Sequence, residues 1–131
     1  PLEPIAKIAS GGELARFLLA LKVSIINPDD STTLIFDEID SGVGGATADA
    51  VGQRLRQLAC GSQILVVTHS PQVAALGNHH IKVIKRKQNT ANVINIAQLN
   101  PIERVDEIGR MLSGGSLTPE ARSAAEVLLR G

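Results

Sequence analysis

The stretch TLIFDEID, Thr33 to Asp40, runs Leu34, Ile35 and Phe36 straight into two adjacent carboxylates, Asp37 and Glu38. Large apolar residues in a short run predict a buried strand. Side chains alternate along a strand, so the two acids point differently as the strand runs out. Two carboxylates at one strand end can therefore hold separate jobs. The plain alternative is a strand that runs into an acidic turn.

Working outward, GELARFLLALKVSIIN (residues 12–27) predicts a helix, with Leu14, Phe17, Leu18, Leu21 and Ile25 at helical spacing. Leu19, Val23 and Ile26 cover most of the rest, so this helix is expected to be buried on more than one face. After the acidic strand, GGATADAVGQRLRQLA (44–59) predicts a second helix striped by Ala48, Val51, Leu55 and Leu58. QILVVTHS (63–70) is a short apolar run, expected to be a strand covered on both faces. A short helix from Pro71 to about Leu76 follows. HIKVIKRK and ANVINIAQL alternate like partly exposed strands around a QNT turn. Asn100, Pro101 and Glu103 spell a capping box with proline at the first helical position. Thr118-Pro119-Glu120 opens a last helix to about Leu129. Strand–helix–strand alternation implies a mainly parallel sheet flanked by helices, an α/β fold with a C-terminal hairpin and two helices. Residues 1–131 are read as one domain.

Ligands of open α/β sheets bind at the carboxyl ends of the parallel strands. An Asp there can hold Mg²⁺, and a neighbouring Glu can polarise a water for attack on a phosphate. His69 ends the next apolar strand and is expected at the same edge. A histidine there can donate to a terminal phosphate; alternatively it caps the helix that begins at Ser70-Pro71. Ser10-Gly11-Gly12 precedes the first helix, where free N–H groups and the positive dipole end attract anions. Simple capping by Ser10 is compatible with that role. The same tripeptide recurs at Ser113-Gly114-Gly115, but after a helix, where glycine is an ordinary C-cap and the dipole repels phosphate. Neighbouring His79 and His80 face opposite ways on a strand, a poor arrangement for one metal ion.

Thirteen basic residues balance thirteen acidic ones, and aromatic residues make up 2% of the 131. Neither feature indicates a nucleic-acid surface built on charge or base stacking. The densest basic run, KVIKRK, reads as a solvated edge strand. The lone Cys60 excludes an internal disulfide and fits a reducing compartment. No apolar run reaches the roughly 18 residues of a membrane span. A start at Pro1 without methionine suggests a processed product or a fragment.

The order of these features resembles the C-terminal lobe of an ABC-type ATPase head. SGGE (Ser10, Gly11, Gly12, Glu13) resembles the signature motif, LIFDEID the Walker B, SGVGG the D-loop and VTHS the switch histidine. Transporter ATPases usually carry Gln after the glycines and SALD after the acidic pair. Glu13 and IDSGVGG stand here instead, which is similar to the SMC/Rad50-like branch, DNA-repair members included. The likeness is close from Ile5 to about His80 and extends to LNPIERVDEIGRMLSGG.

The resemblance implies that Asp37 supports Mg²⁺, Glu38 is the catalytic carboxylate and His69 senses the γ-phosphate. It implies that Ser10, Gly11, Gly12 and Glu13 contact an ATP held mainly by another head, and that Asp40, Ser41 and Gly42 lie across the dimer interface. Ala15 departs from the family, which often has Ser there. No GxxxxGK[ST] occurs, so the loop that cradles the phosphates is expected on an N-terminal Walker A lobe of the same protein. The isolated chain is then expected to be inactive. Two such heads would form a homodimer across ATP, and the full-length assembly would engage DNA in double-strand break repair and recombination, in the cytoplasm at the nucleoid. The other readings are a lobe of another ABC class, and an interaction module whose glycine turns merely join elements.

Overall fold

A computed structural model describes residues 33–88 and 91–131, in two compact units that meet between Leu76 and Gly77. The predicted helix at 12–27 and the Ser10–Glu13 turn lie outside the described residues.

In the first unit, β1 (Thr33–Asp37) pairs in parallel with β2 (Gln63–Val67), from Thr33↔Gln63 to Asp37↔Val67. Parallel strands need a crossover, supplied by helix α1 (Gly45–Leu58). Its buried stripe of Ala48, Val51, Gly52, Leu55 and Leu58 follows helical periodicity. Phe36, Ile39, Val43, Ile64 and Val66 pack against that stripe, joined by Val73 of helix α2 (Pro71–Leu76). Leu58 is among the most completely buried side chains; burying a leucine contributes about 1.5–3 kcal/mol. At Gly52 the two helices meet so closely that a Cβ would stand 2.6 Å from Leu76 Cδ1 and 3.3 Å from Val73 Cα. A side chain at position 52 would push Leu76 aside and press on the α2 backbone.

The sequence predicts a β2 covered on both faces; among the described residues it is covered on one. It alternates, with Ile64 and Val66 against the helices and Leu65 and Val67 exposed. Ile35 of β1 stands on the same open face at 70% exposure. Helices α1 and α2 cover a single side of the pair, so apolar residues on the other side meet solvent among the described residues.

In the second unit, β3 (Ile81–Gln88) and β4 (Ala91–Gln98) form an antiparallel hairpin registered from Ile81↔Gln98 to Gln88↔Ala91. Helix α3 (Pro101–Ser113) starts with the predicted capping box: Asn100 accepts from the Glu103 N–H at 2.9 Å, and Glu103 accepts from the Asn100 N–H at 2.8 Å. It ends at Gly114, whose φ of 74° is the left-handed C-cap predicted for the second SGG. The Ser113 hydroxyl is used locally, donating to the Ser116 carbonyl at 2.6 Å. Helix α4 (Pro119–Arg130) is capped by Thr118 and packs on α3; Ile108 of α3 and Ala125 of α4 are both 0% exposed. On one face of the hairpin Ile81, Val83, Ile94 and Ile96 are exposed. Lys82, pointing to the other face, pairs with the buried Glu107, which also takes two hydrogen bonds from Arg110. Burial pushes Glu107 up, but the bonds from Arg110 and Lys82 outweigh it and hold the carboxyl below its ordinary range. Burial, then the nearby Arg104 charge, pushes His80 down.

Candidate active site

The carboxyl edge of the β1–β2 pair gathers Asp37, Glu38 and His69, three of the residues singled out from the sequence. Asp37 is the last residue of β1 and is exposed. Glu38 follows it with φ of 47°, a left-handed conformation in a residue other than glycine. That conformation costs about 1–2 kcal/mol. Two backbone bonds hold it: the Glu38 N–H donates to the Val67 carbonyl at 2.9 Å, and the Glu38 carbonyl accepts from the Ser41 N–H at 3.0 Å. The strand therefore stops sharply, and Glu38 turns out over the end of the neighbouring strand.

His69 stands just past the end of β2. Its Nε2 lies 3.5 Å from Glu38 Oε1, with the histidine side chain 89% and the glutamate 56% exposed. Asp37, Glu38 and His69 thus share one edge, an arrangement that glycine turns serving only as connectors do not require. The capping alternative for His69 is filled by its neighbour: the Ser70 hydroxyl accepts from the Val73 N–H at 3.4 Å and donates to Gln72 Oε1 at 3.0 Å. His69 is left to project into solvent.

The turn after Glu38 contains the remaining predicted residues in this unit. Ser41 and Gly42 are exposed, with Gly42 at φ 78°. Asp40 differs from them. It is buried to 6% exposure, and its carboxylate accepts a hydrogen bond from the Thr68 hydroxyl. Sequence reasoning missed Thr68; its place beside a strand-end histidine is the signal that could have drawn attention to it. Ser10, Gly11, Gly12 and Glu13 fall outside the described residues.

The donor set at this edge suits a hard, hydrated cation. Mg²⁺ is commonly held by one or two carboxylates plus phosphate oxygens and waters. Among the described residues no group of three or more His, Cys, Asp or Glu side chains gathers into a cage, while the exposed Asp37 carboxylate offers a single oxygen ligand at the strand end. No helix among the described residues is long and apolar enough to cross a membrane.

No family model matches the chain. It is similar to the DNA repair protein RecN of Rickettsia bellii, at 47% identity over 97% of this chain and 23% of that protein. RecN of Xylella fastidiosa is 48% identical over 99% of the chain, and RecN of Bacillus subtilis 39% over 99%. The chain spans about a quarter, 23%, of the length of these curated relatives. Among solved structures, a chain from structural biochemistry of ATP-driven dimerization and DNA-stimulated activation of SMC ATPases matches with a TM-score of 0.64. It shares 23% identity and covers 82% of this chain and 63% of its own length. That likeness carries the fold, an α/β lobe with a C-terminal hairpin and two helices. The chain belongs to the RecN family and matches the C-terminal part of that protein.

Proposed function

We propose that this chain, residues 1–131 acting as one lobe, is the C-terminal part of an ATP-binding and hydrolysing head that works in DNA double-strand break repair and recombination. The observation that carries the reading is the Glu38–His69 approach of 3.5 Å at the carboxyl edge of two parallel strands. Glu38 is the carboxylate that orients and deprotonates the attacking water. His69 donates to the terminal phosphate and keeps that water in line. Asp37 holds the Mg²⁺ that, when bound, neutralises charge developing on the phosphate oxygens. The exposure of both Glu38 and His69 suits groups whose substrate arrives on another surface.

The phosphates themselves are bound by a Walker A loop on an N-terminal lobe of the same protein, since this chain has no such loop. Ser10, Gly11, Gly12 and Glu13 form the signature turn that meets the partner head's ATP. Ser41 and Gly42 approach the interface between heads, with Asp40 supporting their turn from within. Two heads close on ATP as a homodimer and open after hydrolysis, and the full-length assembly engages DNA. The protein works in the cytoplasm, at the nucleoid. Its relatives are DNA repair proteins, and the solved structure it resembles is described by ATP-driven dimerization; both support the reading.

Glu38→Gln in the full-length protein is the test. It keeps the shape and removes the base, so hydrolysis is expected to fall by about 10²–10⁴ while ATP-driven dimerisation remains. Loss of dimerisation with the same substitution assigns Glu38 a structural role and defeats the proposal.

A further inference from the structure

Glu38 and His69 sit on separate turns, and both side chains are largely exposed, so no packing around them fixes their separation. The turns themselves are tied together beneath them. Thr68 Oγ1 accepts from the Ser70 N–H at 2.9 Å, which leaves its single proton for the Asp40 carboxylate. Thr68 and Ser70 flank His69, so the backbone on both sides of the histidine is held. On the other turn, the Ser41 N–H donates to the Glu38 carbonyl at 3.0 Å and the Val43 N–H to the Asp40 carbonyl at 3.1 Å. One continuous hydrogen-bonded path therefore runs from the Glu38 turn, through buried Asp40, to the His69 turn. A buried carboxylate with a hydroxyl partner has little freedom to move, since leaving it unpaired is unfavourable.

From this path we infer that Asp40 and Thr68 are positioning residues: a buried clamp that sets how closely Glu38 and His69 approach. The inference rests on the reading that this pair acts on a terminal phosphate, and it gives Asp40 a role inside its own head. Thr68 acts through His69, and Asp40 acts through both turns. A hydroxyl is needed at position 68, so serine serves there and valine does not. An oxygen acceptor is needed at position 40, so asparagine serves there and alanine does not.

The test uses the full-length protein with ATP. Asp40→Ala is expected to lower kcat about 10- to 100-fold with KM for ATP unchanged, as expected for misplaced groups. Asp40→Asn and Thr68→Ser are expected to retain most of the rate. If Asp40→Ala does not fold, Thr68→Val carries the same test, because it keeps the shape and removes only the hydroxyl. Full rates in both Asp40→Ala and Thr68→Val overturn the clamp, as do equal losses in Asp40→Ala and Asp40→Asn. If the unsubstituted protein does not hydrolyse ATP, the ATPase reading falls, and the clamp is decided by NMR of the His69 ring. Ring resonances shifted by Asp40→Ala and restored in Asp40→Asn support it; resonances unmoved by Asp40→Ala overturn it.

Discussion

The two units of this chain place their polar groups in opposite ways. In the first unit Asp37, Glu38 and His69 sit exposed at a strand edge, Glu38 on strained backbone, above the buried Asp40 and a largely aliphatic core. In the second, Glu107 is buried between Lys82 and Arg110, and the helix starts are capped by side chains. Strain held at exposed polar residues points to use, because nothing in stability explains it.

Substitution at Glu38 sharpens this contrast most. Glu38→Gly removes the left-handed penalty together with the carboxylate. Hydrolysis in the full-length protein is expected to fall by about 10²–10⁴, as for glutamine. Stability of the first unit is expected to hold or rise by up to about 1 kcal/mol, read by denaturant unfolding. A loss of stability there breaks the assignment of Glu38 to function. Leu58→Ala works in the reverse direction: it leaves the edge alone and opens a cavity in the aliphatic core. It is expected to cost about 2–5 kcal/mol, seen as a lower denaturant midpoint and faster amide exchange in α1.

The acidic edge was legible because an apolar run ending in Asp37-Glu38 has few other readings, and because helix starts are written locally. Asn100, Glu103 and Thr118 announce their caps within a few residues, and Gly114 its left-handed stop. The Asp40–Thr68 bond was not legible, since it joins residues far apart in the chain and depends on the parallel register. The coverage of β2 was misjudged for a related reason. A run of Ile64, Leu65, Val66 and Val67 reads the same whether helices cover one face or two. The division at Leu76–Gly77 also left no mark, because no Pro- or Ser-rich linker stands there.

The second unit gives smaller effects with a distinct pH signature. Glu107→Gln leaves Lys82 and Arg110, both partly exposed, without their anion and is expected to cost about 1–3 kcal/mol near pH 7. Because the folded Glu107 pKa is depressed, its contribution is present above the ordinary value of 4.5 and is lost as pH falls below it. The depressed His80 pKa adds a loss that begins as pH falls below 6.5, where the unfolded chain binds the proton first. Unfolding of the second unit followed from pH 7 down to about 2 is expected to show both steps, with the lower one missing in Glu107→Gln. Smaller still, Asn100→Ala removes one cap from α3 and is expected to cost about 1 kcal/mol, read as a shift in thermal midpoint.

The Asp37–Glu38–His69 edge is expected to complete an ATPase only when another lobe delivers the phosphates. Steady-state ATP hydrolysis by the purified chain, alone and joined to its Walker A lobe, tests it most directly. The account predicts no turnover by the chain alone, turnover when the lobes are joined, and its loss in Glu38→Gln. Turnover by the chain alone, or a joined protein as active with Glu38→Gln as without it, would contradict the claim.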